Sequence, residues 1–177
     1  MRYGLSLLLL FAVVATASAT VVISADLREL SRDATAIAHG TVVAVTGQWD
    51  ANHRGVETIV TLETHEYLKG DLGATLHFRV PGGVLGRYRN IVVGAPQFEV
   101  GQQVIVFLGT RGPTVPFLLG LNQGVYRVSR AESGAAIVTP PPVQPGTVGP
   151  VVRGSAELKP APLADFTRNV RALAVGQ

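Results

Sequence analysis

Apolar and polar positions keep a two-residue period over the longest regular stretch of this chain, residues 56–70, VETIVTLETHEYLKG. Val56, Thr58, Val60, Leu62, Thr64 and Leu68 fall on one face, and Glu57, Thr61, Glu63, His65, Tyr67 and Lys69 on the other. Ile59 and Glu66 break the order. Such alternation marks a strand with one face packed and one in water, and it predicts the central strand of a sheet. The period resumes after Gly70-Asp71-Leu72-Gly73 in TLHFRV, where Leu76, Phe78 and Val80 take the apolar positions, so the two runs predict a hairpin.

Upstream, Leu27, Leu30 and Ala34 recur at helical spacing behind Ser24 as N-cap, predicting a short helix. The β-branched run AIAHGTVVAVTGQW then predicts a first strand, bent by a bulge at Gly40. The polar loop 50–55 leads from it straight into the central strand, which makes the two antiparallel neighbours. Downstream, residues 81–101 form a long excursion with five glycines and two prolines, in which Ile91, Val92 and Val93 are expected to form a short strand. Loops of this length are uncommon unless they are functional. The continuous apolar run QQVIVFLG between Gly101 and Gly109 predicts a strand buried on both faces. GVYRVSRAESGAAIVT predicts a second hairpin turning at Glu132-Ser133-Gly134.

The expected organisation is a secretory signal over 1–19, a β-barrel domain over 20–139, a proline-rich linker over 140–161, and a C-terminal helix over 162–177 that docks on the barrel. The signal rests on a positive start, an apolar run of about signal length and the small-residue site ASA. That run is short for a membrane span, so no stable insertion is expected after cleavage. The linker rests on PPPVQPGTVGP, which cannot pair into a sheet. In the tail, Leu163, Phe166, Val170 and Leu173 line one helical stripe. Cysteine is absent, so stability must come from the core alone and lipid attachment at a cysteine is excluded. These features together point to a secreted or periplasmic bacterial protein. A net charge of +3 is too small to argue for nucleic acid as a partner.

Signatures of covalent or metal chemistry are missing: no G-x-S-x-G, no S-x-x-K, no cysteine and no H-E-x-x-H. No cofactor is expected. The four histidines, His39, His53, His65 and His77, stand far apart in sequence. A three-residue turn in the central hairpin would set His65 opposite His77, Glu63 opposite Arg79 and Leu62 opposite Val80, while a five-residue turn would set Tyr67 opposite His77. His65 and His77 are therefore the weak candidates for a metal pair, set against an ordinary exposed polar face. Strict alternation sends Glu63 and Glu66 to opposite faces, which denies them a paired acid and base role. Gly82, Gly83 and Gly86 lack the lysine and the spacing of a phosphate loop and read as tight turns. Arg87, Tyr88 and Arg89 are the densest mixture of positive and aromatic side chains, and they are the candidate binding patch, suited to an acidic partner or a polysaccharide.

The strings THEYLKGDLG, VPGG and VGAPQFEVGQQVIVFL, within residues 34–128, resemble a set of exported bacterial proteins of unassigned function. The order of elements is similar in shape to an OB-type barrel such as the netrin-like domain of tissue metalloproteinase inhibitors. Those inhibitors use an N-terminal cysteine on the protease zinc. With no cysteine here, the resemblance implies a fold and a compartment but no functional residue. The expected fold is mainly β, a five- or six-stranded antiparallel OB-like barrel with a short N-terminal helix and a C-terminal amphipathic helix; a β-sandwich is the runner-up. The expected function is a non-catalytic binding module that engages an extracellular or envelope protein, such as a protease, through the 81–101 loop. The alternative is a secreted hydrolase or metal-dependent enzyme whose site the fold assembles.

Overall fold

The computed structural model describes residues 26–112, 114–142 and 159–175. The signal segment, Ser24 and most of the proline-rich linker lie outside them. The described chain is mainly β with two α-helices. Helix α1 is Leu27–Asp33, and Asp26 is its N-cap: the Asp26 carboxylate accepts the Glu29 N–H at 2.6 Å. At the other end the Lys69 ammonium donates to the carbonyls of Ser31 and Arg32, satisfying groups the last turn leaves open.

Strands β1 (Ala36–Trp49) and β2 (Val56–Lys69) pair antiparallel over nearly their whole length, as the short loop between them requires. They are followed by β3 (Thr75–Pro81), a small hairpin of β4 (Gly83–Leu85) and β5 (Tyr88–Asn90), then β6 (Gln103–Gly109) and β7 (Phe117–Leu118). Strands β8 (Val125–Arg130) and β9 (Ala136–Thr139) form the second hairpin. A short β10 (Ala161–Pro162) leads into helix α2 (Leu163–Val175). Eight strands form one sheet in the order β1-β2-β3-β7-β6-β8-β9-β10, with β1 also paired to β6. The strand count among the described residues therefore exceeds the five or six expected. Part of the excess is the β4–β5 hairpin, a separate two-stranded sheet raised within the excursion. Ile91, Val92 and Val93, expected to form a strand, are irregular; the pairing falls instead on the residues flanking the Gly86 turn.

Strand β6 separates two cores. Val104, Val106 and Leu108 point to one face, where they join Ala38, Val42, Val60, Leu62, Leu76, Phe78 and Leu118. Ile105 and Phe107 point to the other, where they join Ile37, Leu68, Tyr126 and Val138 under the two helices. Every residue from Val104 to Gly109 is buried, as the unbroken apolar run predicts. Helix α2 places Phe166 and Val170 on this second core with Leu163 and Leu173 at its margin, so the C-terminal helix docks as its stripe predicts. Phe107, Tyr126 and Phe166 form an aromatic ladder from β6 through β8 to α2, with ring centroids 5.7 and 4.8 Å apart.

The register of β1 on β2 contains the main departure from simple alternation. His39 pairs with Glu66 and Gly40 with Thr64, which leaves His65 as an extra residue on β2. The bulge thus lies opposite Gly40, and Gly40 permits it, because a Cβ there would meet the Glu63 carbonyl. One extra residue reverses which side chains face inward. Beyond it Tyr67 packs against the first core and Glu66 turns to the helix-covered face, the face Glu63 already occupies. The expectation that the two glutamates lie on opposite faces is corrected for this reason. Leu68 is likewise an extra residue on β2, between the Ala38–Tyr67 and Ile37–Lys69 pairs, and a third, Val43 on β1, swings Val45 and Gly47 onto the same face as Val60 and Thr58.

The central hairpin keeps its expected parity but not its register. Val60 faces Phe78, Leu62 faces Leu76, Glu63 faces Thr75 and Thr61 faces His77, so each β2 residue meets a β3 residue four positions earlier than a three-residue turn would give. The cause lies in the turn: the end of β2 remains bound to β1, while the Tyr67 hydroxyl donates to the Gly73 carbonyl at 2.8 Å and the Asp71 carboxylate accepts the Gly73 N–H.

The β4–β5 hairpin lies on β1 at Gly47, where a Cβ would run into the Val84 carbonyl. Gly47→Ala should therefore push the hairpin off the strand. The expected cost is about 1–3 kcal/mol of stability, the usual range for overpacking. The same variant should change the emission of Trp49, the chain's one tryptophan, whose ring meets Tyr88 at 4.9 Å. Denaturant unfolding followed by fluorescence measures both.

Candidate functional site

The ribbon formed by the far half of β1 and the near half of β2 extends past the first core, and the 81–98 segment folds over its inner face. Between them is a cleft of about 410 Å³, lined by Val45, Gly47 and Thr58 from the ribbon and by Gly82, Arg89, Val92 and Phe98 from the excursion. That size falls within the range of ligand clefts, about 300–1,000 Å³. Phe98 forms the junction with the core. It is 9% exposed and meets Phe78 edge-on at 5.5 Å, so the cleft is the continuation of the packed interior to its open end. Its walls are fixed by polar contacts: the Thr58 hydroxyl donates to the Gly82 carbonyl at 2.7 Å, and the Asn90 amide donates to the Val56 carbonyl at 3.1 Å.

The candidate patch Arg87, Tyr88 and Arg89 is divided by its own strand geometry, because adjacent residues of β5 point to opposite sides. Tyr88 packs on Trp49, and Arg87 folds back over the Tyr88 ring at 5.3 Å and donates to its hydroxyl. Arg89 alone of the three lines the cleft. It makes no hydrogen bond or ion pair with any described residue, and no aspartate or glutamate lines the cleft with it. Val84 and Ile91, 58% and 73% exposed, form an apolar rim above it. The Val43 bulge that brings Val45 and Gly47 into the cleft left no mark in the sequence pattern; the glycines of the excursion and Gly47 itself were the available signals.

His65 and His77 are not cross-strand partners. His77 Nδ1 lies 3.1 Å from the Thr61 hydroxyl, and His65 Nε2 lies 3.1 Å from the Thr41 hydroxyl. The register and the bulge together separate them. His65 instead meets His39 edge-on, with ring centroids 5.1 Å apart. His39 is buried on the helix-covered face, 3.7 Å from the Glu66 carboxylate, and Glu66 in turn accepts from Arg171 of α2 at 2.6 Å. Among the described residues, no group of three or more metal-binding side chains is placed to hold an ion. No described helix is long and apolar enough to cross a membrane. A smaller cavity of about 270 Å³, lined by Leu27, Tyr126, Val138 and Phe166, lies beneath α2 and belongs to the second core.

No protein-family model matches the chain, and no curated protein matches it either.

Burial, and then the neighbouring His65, push the His39 imidazole below its ordinary value of 6.5, against the opposing pull of Glu66. The unfolded chain takes up that proton near 6.5, and the folded chain does so only at lower pH. Between the two values the unfolded state holds more protons, so stability falls as pH falls through this window. Chemical denaturation from about pH 8 down to about pH 5 should show the decline, and His39→Gln should flatten it. An unchanged slope in the variant would assign the decline to other groups.

Proposed function

We propose that this chain is an exported, non-catalytic binding module on an OB-like barrel, acting in the bacterial envelope or medium, and that it holds part of an extracellular protein in the cleft at the open end of its first core. The observation that carries the reading is the cleft itself: a partly apolar recess with fixed walls, one cation unpaired among the described residues and an exposed apolar rim, built by the glycine-rich excursion. The barrel reading is supported by the pairings, which run from β1 through β2, β3, β7 and β6 and return to β1, with β3 and β7 parallel at Arg79 and Phe117. Export is supported by the N-terminal pattern and the absence of cysteine.

Site-directed photo-crosslinking tests this placement. A photoreactive side chain at Ile91, on the cleft rim, should trap one discrete partner in envelope or medium fractions of the source cells. The same group at Glu132, in the β8–β9 turn, should trap none. The reverse pattern would move the binding face to the second hairpin.

A further inference from the structure

Resting on that reading, the structure assigns a chemical class to the bound segment: we infer that the cleft takes an extended, acidic–apolar peptide segment, with a carboxylate on Arg89 and apolar side chains against Val84 and Ile91. Arg89 is the one charged side chain lining the cleft and has no partner among the described residues, so the field there is positive and uncompensated. A guanidinium offers a planar fork of donors that fits a carboxylate with two parallel hydrogen bonds. Arg89 is exposed, so an incoming carboxylate can reach it, and the apolar rim must supply the rest of the affinity. A small free acid would satisfy Arg89 but leave Val84 and Ile91 in water. A peptide with apolar residues beside its acid covers both. Among the described residues strand β5 pairs only with β4, so its outer edge offers backbone groups to an extended chain.

The test is selection from a random heptapeptide display library on the full mature chain, followed by affinity measurement of the selected peptides. The expected result is enrichment of Asp or Glu next to apolar residues. Arg89→Glu should reverse the preference toward Lys or Arg and weaken the original peptides by about tenfold or more. Arg89→Gln should lose the charge preference, while Arg87→Gln, which alters the side chain lying over Tyr88, should keep it. Unchanged melting temperatures for the three variants confirm folding. Enriched peptides without acids, or an acidic preference that survives Arg89→Glu, would overturn this inference and leave the binding-module reading intact. A chain that enriches nothing would overturn both. Self-association that depends on Arg89 would make a second copy of the chain the occupant and overturn the peptide assignment.

Discussion

The structure depends on β6 being apolar on both faces. A half-buried strand closes one core; a strand whose residues alternate between two apolar environments must be covered twice. Val104, Val106 and Leu108 close the first core with β1, β2 and β3, and Ile105 and Phe107 present a second apolar face that α1, α2 and the second hairpin cover. This accounts for the position of a C-terminal helix that comes after a long proline-rich stretch. Its stripe ends on Phe166, which rests on Tyr126, which rests on Phe107. Full burial of a large apolar side chain contributes about 1.5–3 kcal/mol, and Phe166 and Val170 are the residues through which α2 makes that contribution.

Against that frame the excursion is held more lightly. Its hairpin touches the ribbon through glycine contacts, one aromatic pair and two hydrogen bonds, and its apolar residues Val84, Ile91 and Val93 remain in water. A rigid frame carrying a partly apolar loop pinned to it at a few points is the usual division between stability and binding. The polar cluster of Arg171, Glu66, His39 and His65 serves the frame: it ties α2 to the β2 bulge on the side away from the cleft.

Much of the fold was legible because period and burial agree. The two long strands, the double-faced β6, the second hairpin and the amphipathic tail each arise from a pattern that one physical cause produces. Alternation cannot show an extra residue. The bulges at Val43 and His65 reverse the facing of the residues beyond them, and through them Tyr67 turns inward, Glu66 joins Glu63 and Val45 reaches the cleft. Glu66, the charged break in an otherwise regular run, was the visible trace of one bulge. The candidate site was legible as a segment but not as a constellation: the loop was marked by its glycines, while the separation of Arg89 from Arg87 and Tyr88 needed the β4–β5 pairing. The hairpin register is set by contacts that Tyr67 and Asp71 make within the turn, which no periodicity records.

Native-state hydrogen exchange resolved by residue tests the two-core account most directly. If β6 joins the cores into one cooperative unit, the amides of Val104 to Leu108 and the central amides of α2, around Phe166 and Val170, should exchange only through global unfolding, with matching free energies and matching denaturant dependence. The β4–β5 amides should open well below that level. Exchange from α2 at a distinctly lower free energy than from β6, with its own small denaturant slope, would show that the second core opens by itself and would contradict the account.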